Sequence, residues 1–260
     1  KKTYGMLLVS GPTGSGKTTT LYSLMNLLNR SDVNIVTIED PIEYDMKYVN
    51  QTQVNPAQGI TFATGLREIV RQDPNIVMVG EIRDEETADI AVQAALTGHL
   101  VLSTLHTNDA PSAIPRLFDL KVLPFLAAAV LNVVLAQRLV RKICLMCITS
   151  YKPDEKLASS IQEQLTSLKL KEDVKVPKLL FKGQGCPTCN NTGYKGRIGI
   201  FEMLAVSEDI RRIIATQGFS LDALYDEART EGMVTMFQDG LRKVERGMTT
   251  IEEILRVIRE

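Results

Sequence analysis

The stretch Gly11-Pro-Thr-Gly-Ser-Gly-Lys17-Thr18 lies between an apolar run, Met6 to Val9, and a long amphipathic stretch, Thr18 to Asn29. It matches the pattern G-x-x-x-x-G-K-[ST] between a predicted strand and a predicted helix. Glycines adopt backbone conformations that are closed to other residues, so successive N–H groups can point at phosphate oxygens near the positive end of the helix. The pattern predicts a binding loop for ATP or GTP. The alternative is a glycine-rich turn that matches by chance, and both flanks disfavour it.

Individual residues of this phosphate loop, residues 11–18, have separate predicted roles. Lys17 is expected to reach the β- and γ-phosphates, and Thr18 to place its hydroxyl on a Mg²⁺ ion that the nucleotide also binds. The predicted nucleotide-binding residues are Gly11, Pro12, Thr13, Gly14, Ser15, Gly16, Lys17, Thr18 and Thr19, with Thr18 also the magnesium ligand.

Composition limits the class of protein. The chain has 260 residues, of which 44% are hydrophobic, so it is long and apolar enough for a real core. With 30 basic and 31 acidic residues its formal charge is −1, which gives no general attraction to nucleic acid or to an anionic membrane, although a local patch stays possible. Residues 1–5 lead into the first strand without a signal-peptide pattern. We therefore expect a cytoplasmic chain, or rather a fragment of a longer cytoplasmic protein.

The longest apolar run, Val122 to Ala136, contains Pro124 and Asn132 and is shorter than the roughly 20 residues that span a bilayer. We interpret it as part of a buried helix. The sequence therefore predicts helices from Asp109 to Leu120 and from Val122 to Lys142.

Polar residues follow three predicted strands. The strand 34–38 leads into Glu39, Asp40 and Glu43, the strand 76–79 into Glu81, and the strand 100–106 ends at His106. Alternation of apolar strands with helical stretches predicts a mostly parallel sheet with helices on both faces, and the ligand edge of such a sheet is at the strands' carboxyl ends. The loosely alternating residues 48–54 suggest a strand of an added hairpin.

Two of these polar residues are candidates for catalysis. Glu81 would hold Mg²⁺ through water or polarise the attacking water, the alternative being an acidic surface turn after a buried strand. His106 would donate a hydrogen bond to a γ-phosphate, although on its own a histidine at a strand end is more often an ordinary polar residue.

The chain has four cysteines, in two C-x-x-C pairs: Cys144 with Cys147, and Cys186 with Cys189. Four thiolates at about 2.3 Å close the tetrahedral shell of Zn²⁺ and leave no site for water, so the pairs predict a structural zinc ion. Two disulfides or free thiols are the alternatives. The spacing between the pairs is longer than in common zinc ribbons and includes a predicted helix, Asp154 to Leu168.

The remainder of the chain is a strand followed by helices. The strand is Gly196 to Leu204, and the predicted helices are Ser207–Gln217, Ser220–Glu231, Val234–Gly247 and Thr250–Arg259. Thr250 and Glu253 form a predicted capping box at the start of the last helix. The charges of this helical region predict a solvated face, with a surface for a neighbouring subunit or partner as the alternative.

Several short motifs carry a family resemblance. They are Gly11 to Thr19, Thr37 to Glu43, Leu66-Arg67 with Arg71 to Pro74, Gly80 to Thr87, Thr97 to His99, Ser103 to Asn108, the four cysteines, and Gly196 to Glu202. Together they resemble the motor ATPases of type II secretion and type IV pilus assembly, in the secretion-ATPase superfamily, over essentially the whole chain.

The resemblance implies an α/β fold with a RecA-like core at residues 1–143, a tetracysteine zinc module at 144–189, a return strand at 190–205 and a helical subdomain at 206–260. Glu43 falls on the family's aspartate-box position and Glu81 on its Walker B position. His106 falls on the histidine-box position next to the γ-phosphate, which reverses the preference stated above for this residue.

It further implies a motor that hydrolyses ATP with Mg²⁺, binds Zn²⁺, forms a hexameric ring and acts on an inner-membrane platform protein from the cytoplasmic face. Contact with the membrane is expected only through partners, and nucleic acid is not an expected ligand. The tetracysteine module resembles assembly and secretion motors rather than retraction motors, and leaves pilus assembly and secretion unseparated. Family members carry additional N-terminal domains, and arginines from that side are not carried over here, so a low ATPase rate is expected of this piece.

Two other functions stay open. A RecA-like nucleic-acid translocase or helicase would share the phosphate loop, but should show a basic stripe or stacking aromatics, whereas this chain is 5% aromatic and has no Trp. A non-catalytic zinc scaffold is disfavoured by the acidic Glu43 and Glu81.

Ring ATPases commonly supply an arginine in trans to the transferring phosphoryl. The candidates are Arg138 and Arg141, at the end of the predicted long helix, and Arg67, Arg71 and Arg83.

Overall fold

The computed structural model of the chain describes residues 3–167 and 177–259. The nine strands are β1 (Gly5–Ser10), β2 (Ile35–Glu39), β3 (Asn50–Gln53), β4 (Ile76–Val79), β5 (Leu100–Leu105), β6 (Leu131–Ile143), β7 (Ile148–Tyr151), β8 (Leu180–Gly183) and β9 (Tyr194–Ala205). This count refers to the described residues.

The same residues form ten α-helices. They are α1 (Lys17–Leu28), α2 (Phe62–Val70), α3 (Glu85–Leu96), α4 (Ala113–Asp119), α5 (Pro124–Val130), α6 (Glu155–Ser167), α7 (Glu208–Ala215), α8 (Leu221–Thr230), α9 (Met236–Glu245) and α10 (Ile251–Arg259). Leu168, the predicted last residue of α6, lies outside the described residues.

Seven strands form one sheet in the order β3-β2-β4-β5-β1-β6-β9. β1 pairs in parallel with β5 and β6, β2 pairs in parallel with β3 and β4, and β4 pairs in parallel with β5. The prediction of a mostly parallel α/β sheet is therefore confirmed. Because these strands run in one direction, the carboxyl ends of β1, β2, β4 and β5 meet at one edge, where Gly11, Asp40, Gly80 and His106 follow them.

Central strands of the sheet are apolar because both of their faces are covered. Every residue of β2 and β4 is buried, and Met6, Leu8 and Val9 of β1 are fully buried. A hydrophobic cluster joins strands β1, β2, β4 and β5 to helix α1; its buried members are Val9, Leu21, Tyr22, Met25, Ile35, Met46, Ile76, Met78 and Leu102.

Side chains cap the start of several helices. The Asp84 carboxylate accepts from the Thr87 N–H at 2.8 Å, and Ser207, Ser220 and Thr235 accept from the backbone N–H three residues on. The capping box predicted at α10 forms only in part. Thr250 accepts from the Glu253 N–H at 3.4 Å, whereas the Glu253 carboxylate binds two arginines.

The long helix predicted from Val122 to Lys142 is wrong. The chain forms helix α5 and then turns at Leu131 into strand β6, which continues to Ile143. An apolar run of this kind has no decisive period, and the pairing of residues 131–136 with β1 selects the strand. Arg138 and Arg141 therefore lie on a strand and do not end a helix.

The added hairpin predicted around residues 48–54 is also wrong. β3 pairs in parallel with β2, from Val36 opposite Asn50 to Glu39 opposite Gln53, and is the edge strand of the main sheet. A parallel partner needs a crossover rather than a tight turn, and residues 40–49 provide it.

The described residues fall into two compact units. The first runs up to Gln137 and includes Glu202–Met233, so it contains β1 to β5 and helices α1 to α5, α7 and α8. The second comprises the described part of Arg138–Phe201 and the chain from Val234 onward. In this second unit β7 and β8 form an antiparallel pair, with Ile148 opposite Gly183 and Tyr151 opposite Leu180. The predicted boundaries after residues 143, 189 and 205 stay a prediction.

Among the described helices, none has the length and apolar character needed to cross a membrane.

Candidate functional site

The phosphate loop has the backbone that its glycines predict. Gly11, Gly14 and Gly16 have φ values of 147°, 78° and 88°, in the region that side chains disfavour. At Gly11 space is limiting as well, since an added Cβ would lie 2.4 Å from the Gln137 carbonyl oxygen. Helix α1 begins directly after Gly16, which provides no side-chain cap. The N–H groups of its first turn are thus left to face a ligand.

Lys17 lies over this loop. Its Nζ donates to the carbonyl oxygens of Gly11 at 2.8 Å and Pro12 at 3.1 Å. Burial lowers the pKa of the ammonium, and the nearby Glu81 carboxylate acts in the opposite direction. The Ser15 hydroxyl is buried and has no hydrogen-bond partner in the part of the chain that is described. A lysine and an orphaned hydroxyl at a helix N-terminus suit a bound phosphate.

Gln137, which sequence reasoning missed, ties strand β6 to the phosphate loop. Its Nε2 donates to the Ser15 carbonyl oxygen at 2.7 Å, and its Oε1 accepts from the Thr20 hydroxyl at 2.7 Å. It is a buried polar side chain. A polar residue within an apolar strand would have indicated a role for Gln137. The prediction of a helix for this stretch hid that indication.

Glu81 lies beside His106 and Arg83. Its Oε2 is 2.6 Å from Arg83 Nε and 3.4 Å from His106 Nε2. The Glu81 side chain is 12% exposed and that of His106 is 46% exposed, so this carboxylate lies mostly below the surface and the imidazole reaches solvent. The ends of β4 and β5 are tied together, since the Thr104 hydroxyl donates to the Gly80 carbonyl oxygen at 2.8 Å.

Lys17, Glu81 and His106 come from three neighbouring strand ends, and the structure brings them to one place. A cation, a carboxylate and an imidazole around a phosphate loop can bind a phosphate ester, orient a water molecule and accept or donate a proton.

The acidic residues after β2 have different environments. Glu43 and Asp40 are exposed. Glu39 is 2% exposed and accepts hydrogen bonds from Tyr22, from the Thr37 hydroxyl at 2.5 Å and from Gln51 Nε2 at 3.0 Å. Sequence reasoning did not select Tyr22 or Gln51, because their relation to Glu39 depends on the packing of three separate elements.

The candidate arginines all have partners. Arg138 is buried and donates to the Val257 carbonyl oxygen, and Arg141 forms an ion pair with Glu253 at 2.7 Å and lies over the Tyr194 ring. These contacts hold both side chains within their own unit and weigh against a role at a neighbour's nucleotide.

The other three arginines form more exposed pairs. Arg67 meets Glu86 at 2.7 Å, Arg71 meets Glu68 at 3.2 Å, and Arg83 meets Glu81 as described.

The four cysteines converge in the second unit. The Sγ atoms of Cys144 and Cys186 are 3.9 Å apart, those of Cys147 and Cys189 are 3.9 Å apart, and those of Cys186 and Cys189 are 3.7 Å apart. These distances are much longer than the roughly 2.05 Å of a disulfide. They match the edge of about 3.8 Å expected for a tetrahedron of thiolates around zinc.

The surroundings favour a thiolate at Cys189, whereas burial raises the pKa of the Cys147 thiol to about 11. Burial opposes ionisation of Cys189, but N–H donors from Cys186 and Gly193 outweigh it and lower the pKa of this thiol to about 6. The backbone passes so closely at Gly183 and Gly193 that an added Cβ at Gly183 would lie 2.1 Å from the Gly193 carbonyl oxygen. Glycine at both positions lets the chain on either side of Cys186 and Cys189 come together and close the loop that carries this pair.

Known proteins resemble this chain over nearly its whole length. A sequence profile of the family described as "Type II/IV secretion system protein" matches residues 1–256. The chain is 51% identical over 254 residues to the type IV pilus assembly ATPase PilB of Thermus thermophilus, covering 98% of this chain and 28% of that protein. It is 50% identical over 261 residues to the type II secretion system ATPase E of Vibrio cholerae, covering 100% of this chain and 50% of that protein. The chain thus spans a half or less of these two relatives.

Solved structures show the same fold. The pilus retraction motor PilT with bound ADP superimposes with a TM-score of 0.71 at 30% identity, over 98% of this chain and 61% of that one. The ATPase DotB of Legionella pneumophila gives a TM-score of 0.70 at 22% identity, over 100% of this chain and 61% of that one. From the profile match over nearly its whole length and the identity to these relatives, the chain belongs to the type II/IV secretion system protein family.

Proposed function

We propose that this chain is the ATP-hydrolysing region of a motor that powers type IV pilus assembly or type II protein secretion. The observation that carries the proposal is the meeting of Lys17, Glu81 and His106 beside a phosphate loop whose glycines have positive φ. The relatives named as pilus-assembly and secretion ATPases support a role in one of these two processes.

Each residue of the site has a proposed role on its own atoms. The loop N–H groups and Lys17 bind the phosphates, and Thr18 holds Mg²⁺, which would neutralise phosphate charge when bound. Glu81 orients the attacking water and accepts its proton, His106 donates from its imidazole toward the terminal phosphate, and Glu43 supplies a second carboxylate.

The assembly is proposed by analogy with the family. A RecA-like core works in a hexameric ring in the cytoplasm, at the face of the inner membrane, and acts on a membrane-embedded platform protein. Cys144, Cys147, Cys186 and Cys189 hold one structural Zn²⁺ ion, which closes the cysteine-bearing part of the second unit.

A pair of charge-removing variants tests the enzyme. Glu81→Gln keeps the shape of the side chain and removes the charge, so ATP binding by calorimetry should stay within about twofold while turnover falls by about 10²-fold or more. Glu85→Gln is the control, because Glu85 is an exposed carboxylate nearby, in the first turn of α3. Normal turnover in Glu81→Gln would transfer the role to Glu43.

Lysine replacement tests the phosphate loop in the same way. Lys17→Ala removes the charge that faces the phosphates and should lose ATP affinity, whereas Lys47→Ala removes an exposed lysine that lies over the Tyr48 ring and should not. Stimulation of turnover by single-stranded DNA would favour a nucleic-acid translocase instead.

A further inference from the structure

The hydroxyl of Tyr22 is saturated with hydrogen bonds. Tyr22 lies on α1 four residues after Thr18, so it is one turn further along the same helix, and it is fully buried. Its hydroxyl donates to Glu39 and accepts from the Glu43 N–H at 3.3 Å and from Gln51 Nε2 at 3.4 Å. One donor and two acceptor sites are all that a tyrosine hydroxyl offers.

Gln51, on strand β3, also bonds to Glu39 and to the backbone that follows Glu43. Its Nε2 lies 3.0 Å from Glu39 Oε1 and 3.3 Å from the Tyr44 carbonyl oxygen, and its Oε1 accepts from the Met46 N–H at 2.7 Å. The Tyr44 ring meets the Tyr22 ring edge to face, with 4.6 Å between centroids.

Residues 43–46, the Glu43 segment, are thus fixed by side chains. The segment lies outside helices and strands. Three of its backbone groups, on Glu43, Tyr44 and Met46, bond to Tyr22 or Gln51. Both of these side chains converge on the buried Glu39 carboxylate. The exposed Glu43 side chain therefore takes its position from backbone groups that Tyr22 and Gln51 hold.

We propose that Tyr22 and Gln51, anchored on Glu39, form a clamp that fixes Glu43 relative to the phosphate loop, and that both are positioning residues for ATP hydrolysis. The inference rests on the proposed function and on the role of Glu43 within it. Tyr22 provides the link because its helix also begins with Lys17 and Thr18, so the clamp and the phosphate contacts share one rigid element.

A matched pair of variants in the full-length protein isolates the clamp. Tyr22→Phe removes the hydroxyl and keeps the ring, and should lower kcat by about tenfold with KM within about twofold, because binding groups are untouched. Thr37→Val is the control, since the Thr37 hydroxyl also donates to Glu39 but its hydrogen bond does not involve the Glu43 segment. It should leave kcat within about twofold. Gln51→Leu, on a different element, should reproduce the effect of Tyr22→Phe.

Amide hydrogen exchange provides a readout that does not depend on activity. Peptides that contain residues 43–46 should exchange faster in Tyr22→Phe and Gln51→Leu than in wild type or Thr37→Val. In a Glu43→Gln background, Tyr22→Phe should lower kcat no further, because a positioning residue acts through the residue that it positions.

The outcomes distinguish a failure of the clamp from a failure of the proposed function. Unchanged exchange in both clamp variants overturns the inference whatever the activity is. Faster exchange with unchanged kcat, while Glu43→Gln lowers kcat, overturns the inference and leaves the proposed function standing. Additive losses of kcat in the double variant also overturn it. An absence of ATP turnover in wild-type protein would contradict the proposed function itself.

Discussion

Glu253 offers the sharpest test of what stabilises the second unit, because its buried carboxylate forms ion pairs with two arginines. It is 2% exposed, and its oxygens accept from the Arg141 guanidinium at 2.7 Å, from the Arg141 N–H at 2.9 Å and from Arg256 at 3.1 Å. Burial alone would raise the pKa of Glu253, but the hydrogen bonds from Arg141 and Arg256 outweigh it and lower the pKa to about 2. The folded state therefore prefers the ionised carboxylate.

The magnitude follows from this shift. The ordinary pKa of the group is 4.5, and each unit of difference between folded and unfolded states is worth about 1.4 kcal/mol. The ionised carboxylate thus adds on the order of 3 kcal/mol to the free energy of unfolding. Since the folded-state pKa is the lower one, this stability is fully present above about pH 4.5 and is lost as the pH falls to about 2.

Urea denaturation from pH 7 to pH 2 measures the effect. Glu253→Gln should lose about 2 to 3 kcal/mol at pH 7, and its unfolding free energy should fall less steeply below pH 4.5, so that the two proteins converge near pH 2. Glu252→Gln on the same helix is the control, because its exposed carboxylate meets the Tyr151 hydroxyl at 3.4 Å and forms no ion pair with an arginine in the part of the chain that the structure describes. Parallel curves for Glu253→Gln and wild type would refute the reasoning.

Three further outcomes are expected. Chelation of zinc, or Cys186→Ser, should lower the thermal midpoint of unfolding and leave ATP affinity unchanged, and an unchanged midpoint would contradict a structural metal. Gly11→Ala should lose ATP affinity by about tenfold or more, because its Cβ would lie 2.4 Å from a carbonyl oxygen. The Cβ of Gly14→Ala would meet nothing within 4 Å, so this variant should lose only the ~1 kcal/mol that a strained φ costs. If calorimetry gave equal losses of affinity for the two variants, the close contact at Gly11 would not be the reason. If hydrolysis needs an arginine from a neighbouring subunit, specific activity should rise steeply with protein concentration, and mixing Glu81→Gln with Arg67→Ala subunits should restore some turnover. Activity that persists unchanged in a monomer would exclude a role in trans.

The features that sequence alone predicted are those with local causes. The phosphate loop has glycines where the chain needs positive φ, and Ser207 and Ser220 begin the helices predicted to start there. Apolar strands alternating with helices sufficed for a mostly parallel sheet. Glu81 and His106 were placed at the same sheet edge for the same reason, since parallel strands carry their carboxyl ends to one side.

The features that sequence did not predict depend on contacts between distant segments. Residues 131–143 are apolar enough for either a helix or a strand, and only pairing with β1 decides between them. The hydrogen bonds of Gln137 to the phosphate loop and to α1 depend on that strand, so a predicted helix does not reveal them. The parallel pairing of β3 with β2, which brings Gln51 next to Glu39, likewise has no signal within its own four residues.

Burial alone does not identify the reactive carboxylate in this chain. Glu39 and Glu253 are both 2% exposed, and each is surrounded by donors: Tyr22, Thr37 and Gln51 around the first, and Arg141 and Arg256 around the second. A carboxylate whose oxygens accept hydrogen bonds from several side chains holds those side chains in place.

Glu81 differs from these two carboxylates in position and in partners. Its Oε2 contacts both Arg83 and His106, and its side chain is 12% exposed. Its charge also acts to raise the pKa of Lys17, against the effect of burial. A base must reach a water molecule as well as a phosphate. Of these three glutamates, Glu81 is the one that combines access to solvent with proximity to Lys17. For that reason we expect Glu81, rather than the more deeply buried Glu39, to activate water.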